Sequence, residues 1–257
     1  MRSIKYLFLA TFIATTLSCS KDKSDATLEN GINKLPNKLA TGQSANDFLS
    51  AEKYTRIEIE ILYVKNFRPN TQTLTNLQNF IEARLNKPGG IIISEREVAP
   101  NGFSPYTIDE IANLEDVYRS KYNNTNILTL YVLFADGKAE GDSNTSFVLG
   151  TAYRNTSFVI FENTIMQNSG GIAQPSRVNL ETTVLLHEFS HLLGLVNVGS
   201  PMVNPHQDNV HGKHCDNQNC LMNWQVENEG ALNMLTGGSI PQLDTNCLND
   251  LIANGGK

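Results

Sequence analysis

All five histidines of this 257-residue chain fall in one stretch, HEFSHLLGLVNVGSPMVNPHQDNVHGKHCDNQNCLM, residues 187 to 222. It begins His187-Glu188-Phe189-Ser190-His191. In an α-helix, residues four apart share a face at a separation of about 6 Å, so both imidazoles can reach one ion. Glu188 points about 100° away around the axis, too far to ligate that ion but close enough to reach a water beside it. Hydrolysis at zinc needs this supply: three protein ligands, a fourth position open to water, and a carboxylate that takes the water's proton. A polar helix end would also explain two histidines and a glutamate, so the setting has to decide. Gly194, three residues past His191, can take the positive φ that ends a helix and turns the chain back. A third ligand then comes from outside the helix, with His206, His211 and His214 as candidates. Glu227 and Glu229 keep open a layout with a glutamate ligand on a second helix, but Gln225 to Gly230 shows no helical apolar face. His206, Asp208 and His211 could hold a second ion; the simpler expectation is that they are solvated loop residues.

The elements that must position these groups can be read from periodicity. Thr55 to Val64 alternates apolar and charged residues before turning continuously apolar, which predicts a strand. Leu74, Leu77, Phe80, Ile81 and Leu85 predict a one-faced helix over 71 to 86, stopped before Pro88-Gly89-Gly90. A strand over Ile91 to Val98 and a helix over about 107 to 121 follow. Asn126 to Ala135 is nearly unbroken in apolar residues, as a central strand would be. Two short strands, Phe147 to Tyr153 and Ser157 to Phe161, flank Arg154-Asn155-Thr156. Val184 opens the helix that carries His187 and His191, and Pro241 to Asn254 has the spacing of a C-terminal helix. The order predicts an α/β (α+β) domain built on a mixed sheet.

At the N-terminus, Arg2 and Lys5 precede the apolar run Tyr6 to Leu17, a secretory signal too short to span a bilayer. It ends in Thr16-Leu17-Ser18-Cys19, which resembles a bacterial lipoprotein box and would make Cys19 the lipidated residue. The charged residues 20 to 25 that follow resemble a tether to the outer membrane or cell surface. The expected organisation is a signal over 1–19, a flexible tether over 20–52 and a single domain over 53–257. A net charge of −6 supplies no basic stripe, so nucleic acid is not an expected partner. Beyond the signal remain Cys215, Cys220 and Cys247; in an oxidising compartment two of them pair, or all three help to hold a metal.

From His214 to Met222 the string His-Cys-x-x-x-x-Cys-x-Met resembles the continuation of the zinc motif in archaemetzincins, a branch of the metzincin metallopeptidases. The common metzincin pattern has its third histidine six residues after the second; position 197 here is Asn. The resemblance makes His214 the third zinc ligand, after an insertion of 17 residues, and Met222 the methionine of the turn beneath the metal. Leu149-Gly150-Thr151-Ala152 is similar to the metzincin edge strand, placing Gly150 and Ala152 where a peptide substrate would add as a further strand. Archaemetzincins hold a second, structural zinc with four cysteines. Here only Cys247 follows the string, which rules out a four-cysteine site and favours a disulfide among Cys215, Cys220 and Cys247. The resemblance therefore implies a metzincin-like zincin domain with an active-site helix, a methionine turn and a C-terminal helix. It would bind one catalytic Zn2+ through His187, His191 and His214, use Glu188 as general base, and cleave proteins or peptides as a lipid-anchored monomer. The alternative is a surface binding lipoprotein with a structural or vestigial metal site.

Overall fold

The nine residues Arg56–Val64 form the strand (β3) on which the sheet is built. The computed structural model describes residues 28–29, 31–235 and 238–257; the signal segment, Cys19 and the first tether residues lie outside them. Before β3 come a short hairpin, β1 (Leu28–Glu29) and β2 (Ile32–Asn33), and a short helix, α1 (Ala45–Leu49). After it come α2 (Thr71–Arg84), β4 (Ile91–Val98), α3 (Ile108–Tyr118), β5 (Ile127–Phe134), β6 (Gly150–Arg154) and β7 (Ser157–Ile160). The chain ends through α4 (Glu162–Gln167), α5 (Arg177–Leu192), α6 (Gly230–Met234) and α7 (Thr245–Ala253). The main sheet runs β4-β3-β5-β7-β6; all its pairs are parallel except β6 with β7.

Side-chain alternation sorts the two faces. Ile57, Ile59 and Ile61 of β3, with Leu128, Leu130, Val132 and Phe134 of β5, join the core that also contains Leu74, Leu77 and Ile81 of α2 and the apolar residues of α5. Tyr131, Leu133 and Val159 join the other core with Ile111 and Leu114 of α3. Glu60 is nearly buried on β3, and its carboxylate accepts the Ser120 and Lys121 amides and pairs with Arg96 at 2.9 Å. This answers the charge that the alternating pattern puts inside the fold.

Two elements start where periodicity gives no sign of them. α5 begins at Arg177, capped by Ser176, seven residues before the first apolar repeat at Val184. Its first turns carry polar residues that are buried and bonded: Glu181 accepts the Asn70 amide at 2.8 Å, and Thr182 accepts from the Asn76 side chain at 3.1 Å. α4 is short and was not expected.

The tether expectation needs correction from residue 35 onward. Its polar composition is used for packing. Asn37, fully buried, donates to Thr129, Thr156 and Asn123, and the Asn155 side chain donates to Ser44 Oγ and the Pro36 carbonyl. Phe48 and Leu49 are fully buried, and Phe48 meets Phe189 of α5 edge-on with ring centroids 5.6 Å apart. Phe48→Ala should therefore lower the unfolding free energy by roughly 3–5 kcal/mol in a urea titration. A flexible tether would give no change.

Candidate metal centres

His187, Glu188 and His191 lie in the last turns of α5, and all three are buried. The helix then stops at Gly194, whose φ of +82° only glycine adopts without strain. A Cβ there would stand 2.3 Å from the Ser200 amide nitrogen, so the close return of the chain requires glycine as well.

Residues 195 to 213 fold back as a built loop. Gly194 O accepts the Val198 and Ser200 amides, and Asp250 of α7 accepts the Val203 amide at 2.7 Å. The returning chain pairs with His214 to Asp216: the Asp208 amide donates to His214 O, and the Asp216 amide to His206 O. This pairing delivers His214 to the helix.

The three imidazoles converge, each with Nδ1 turned to a backbone carbonyl. Nδ1 of His187 donates to Leu221 O at 2.7 Å, that of His191 to Leu195 O at 3.3 Å, and that of His214 to His211 O at 2.9 Å. With Nδ1 protonated, each Nε2 offers a lone pair, the tautomer of a metal ligand. The Nε2 atoms of His187 and His191 are 3.1 Å apart. Zinc–nitrogen bonds of about 2.0–2.1 Å in a tetrahedron place neighbouring ligand atoms about 3.3 Å apart, so the pair is spaced to share an ion. Burial, then the mutual proximity of the rings, lowers the His187 pKa to about 3; burial, then His214, does the same for His191. Both rings are held neutral, as ligands must be.

Glu188 is fully buried, and neither carboxylate oxygen makes a hydrogen bond of normal length. Burial first, then the Glu227 carboxylate, pushes its pKa well above the usual range, with the Ala152 amide pulling the other way. Gly150 and Ala152 lie in β6, the outer strand of the sheet beside α5. A Cβ at position 150 would be 2.8 Å from Glu188 Cγ and 2.9 Å from Val184 Cγ1, so Gly150 makes room for the glutamate. Met222 is fully buried in the main core, one residue past the Leu221 carbonyl that orients His187.

Glu227 is a further member. It ends a 3-10 helix, Trp224–Glu227, and joins His187, His191 and His214 in a group whose ligand atoms lie within 4.8 Å of one another. The sequence pattern counted against it because it looks for apolar helical spacing, and a single 3-10 turn has none.

The cysteines depart from the expected disulfide. Cys215, Cys220 and Cys247 are all free and fully buried, with Cys220 and Cys247 sulfurs 3.7 Å apart. His206 also differs from its expected solvated loop position: it is 1% exposed, with Nδ1 at 3.4 Å from Cys215 Sγ and 3.9 Å from Cys247 Sγ. Its Nε2 donates to the buried Asp250 carboxylate at 2.8 Å, so Nδ1 faces the sulfurs as an acceptor. The Met222 and Asp244 amides each donate to Cys220 Sγ at 3.4 Å. Hydrogen bonds from the other two thiols lower the Cys220 pKa to about 4. Zinc–sulfur bonds of about 2.3 Å place tetrahedral sulfurs about 3.8 Å apart, close to the spacing found. His206, Cys215, Asp244 and Cys247 form a second group whose ligand atoms lie within 4.8 Å of one another, with Asp244 beside Cys215 at 3.3 Å and Cys220 against Cys247; the set fits a structural zinc, with His206 from the insertion among its ligands. His211 takes no part in either group: it pairs with Asp208 and stacks on Trp224 at 4.0 Å.

The five-stranded mixed sheet thus places a buried His-Glu-x-x-His helix beside its antiparallel edge strand. Among solved structures, the chain is similar to archaemetzincin from Methanopyrus kandleri, with a TM-score of 0.51 and 14% identity, over 78% of this chain and 96% of that one. It is also similar to metalloproteinase-II from Bacteroides fragilis, with 15% identity and a TM-score of 0.42, over 80% of this chain and 55% of that one. No family model matches the sequence, and no curated protein does. The fold is archaemetzincin-like. Elemental analysis of the purified domain should find two zinc ions per chain, with His206→Ala and His214→Ala each removing a different one.

Proposed function

We propose that the chain is a zinc-dependent endopeptidase of metzincin type. The observation that carries this reading is the convergence of three imidazoles, each with Nδ1 turned to a backbone carbonyl, beside a buried glutamate and next to an edge strand. Zinc bound by His187, His191 and His214 would supply Lewis acidity toward a water and a peptide carbonyl. Glu188 accepts the proton of the attacking water on its carboxylate and returns it to the nitrogen of the leaving amine. Its burial suits both halves of that task, because a raised pKa lets a carboxylate hold a proton between the two transfers. The outer edge of β6 binds the peptide as an added antiparallel strand, and Gly150 leaves the space in which Glu188 lies beneath it. His206, Cys215, Cys247 and Asp244, with Cys220 against Cys247, would hold a second ion that fixes the stretch bearing His214 and Met222.

The N-terminal sequence supports a place for this activity outside the cytoplasm. Arg2, Lys5, the apolar run and Cys19 suit a lipoprotein of the outer membrane or cell surface. A monomer acting on protein or peptide substrates is the simplest form. A surface binding protein with a vestigial site is the alternative, and a buried general base has no use in it.

Glu188→Gln should retain both zinc ions in elemental analysis while lowering peptide hydrolysis about 10²–10⁴-fold, the usual contribution of a general base. Undiminished hydrolysis would remove Glu188 from the mechanism. Metabolic labelling with palmitate should mark the full-length chain expressed in a gram-negative host, and Cys19→Ala should abolish the label.

A further inference from the structure

The Glu227 carboxylate has no role in the mechanism above, yet it lies among the groups that would hold the ion. Its Oε1 is 3.4 Å from His214 Nε2, and its Oε2 is 3.9 Å from His187 Nε2. The first distance is that expected between two ligands of one tetrahedral zinc, about 3.3 Å.

The backbone around Glu227 is held from both sides. Asn223 caps the 3-10 turn by accepting the Gln225 amide at 3.2 Å, and the Asn228 side chain donates to Trp224 O at 2.8 Å. Across the cleft, the Leu149 amide donates to Glu227 O at 2.8 Å, and the Phe147 amide to the Glu229 carboxylate at 3.2 Å. Val148 and Asn228 form an antiparallel bridge. The segment is therefore fastened to the chain that leads into β6. Trp224 adds a third tie by stacking on His211, whose carbonyl orients His214.

From this geometry we infer that Glu227 is the fourth ligand of the catalytic ion in the resting protein, taking the position the attacking water needs. The inference rests on the metallopeptidase reading and deepens it: the resting site is closed, and a bound peptide opens it by displacing the 224–229 segment. The ties to residues 147–149 lie directly before the strand that receives the peptide, so occupancy of that edge and release of Glu227 are linked.

The test uses the domain with Co2+ in the histidine site, read by visible absorption between pH 6 and 9. A coordinated water ionises in this range, with a pKa near 7 at such metals, and changes the spectrum. The wild-type spectrum should be independent of pH, and Glu227→Ala should gain a transition in the range. Glu227→Gln keeps the shape and removes the charge; it should behave like Glu227→Ala, whereas Glu229→Gln should match wild type. Peptide hydrolysis should be faster in Glu227→Ala. A wild-type spectrum that already shows the transition would overturn the proposal, even if Glu227→Ala shifts its midpoint, because a carboxylate that is only nearby moves the midpoint without abolishing it. Failure of the histidine site to take up cobalt in any variant would overturn the metallopeptidase reading and the proposal together.

Discussion

Thirteen consecutive residues of α5, Leu180 to Leu192, are buried, so a helix that elsewhere would show a polar face to water shows none. Every polar group on it must be answered inside the protein or remain unbonded at a cost of about 1–3 kcal/mol each. Some are answered locally: Glu181 by the Asn70 amide, Thr182 by Asn76, Ser190 by Leu186 O at 2.7 Å. His187 and His191 are answered on one nitrogen only, and Glu188 on neither oxygen. Besides Thr183 Oγ1 and one oxygen of Glu181, the atoms left open are those of His187, Glu188 and His191 at the end of the helix.

The surrounding chain follows from that arrangement. The two carbonyls that orient the helix histidines, from Leu195 and Leu221, belong to segments on either side of the insertion. A loop of this length has no intrinsic reason to return to a fixed place. It does so because Asp250, buried in α7, holds both the Val203 amide and His206, while His206 in turn meets the cysteines. The sulfur cluster thereby shortens the free span of the insertion and presents His214 at a defined height.

Much of this was legible in the sequence, and the failures have physical causes. The strands and α2 and α3 appeared within a few residues because their apolar periodicity reflects one buried face. The early turns of α5 were hidden because both of its sides are buried and its polar residues break the pattern. Asn37, Ser44 and Asn155 looked like linker composition, but amide and hydroxyl side chains also make buried networks, and composition does not separate the two. The string from His214 to Met222 was readable through its spacing. His206 was not, because a ligand contributed by an insertion has no spacing rule. Glu227 was weighed as a ligand and set aside because a single 3-10 turn carries no apolar period.

Nine residues, His214 to Met222, serve both clusters at once: an imidazole for one, the Cys215 sulfur for the other with Cys220 packed against Cys247, and a carbonyl that aims a helix histidine. Such sharing leaves no route by which the thiol cluster can be damaged in isolation. Cys220 is fully buried, so a reagent reaches its sulfur only when this stretch opens. A change at that sulfur would be felt at His214 and at the carbonyl that aims His187, because all three ride on one stretch of chain.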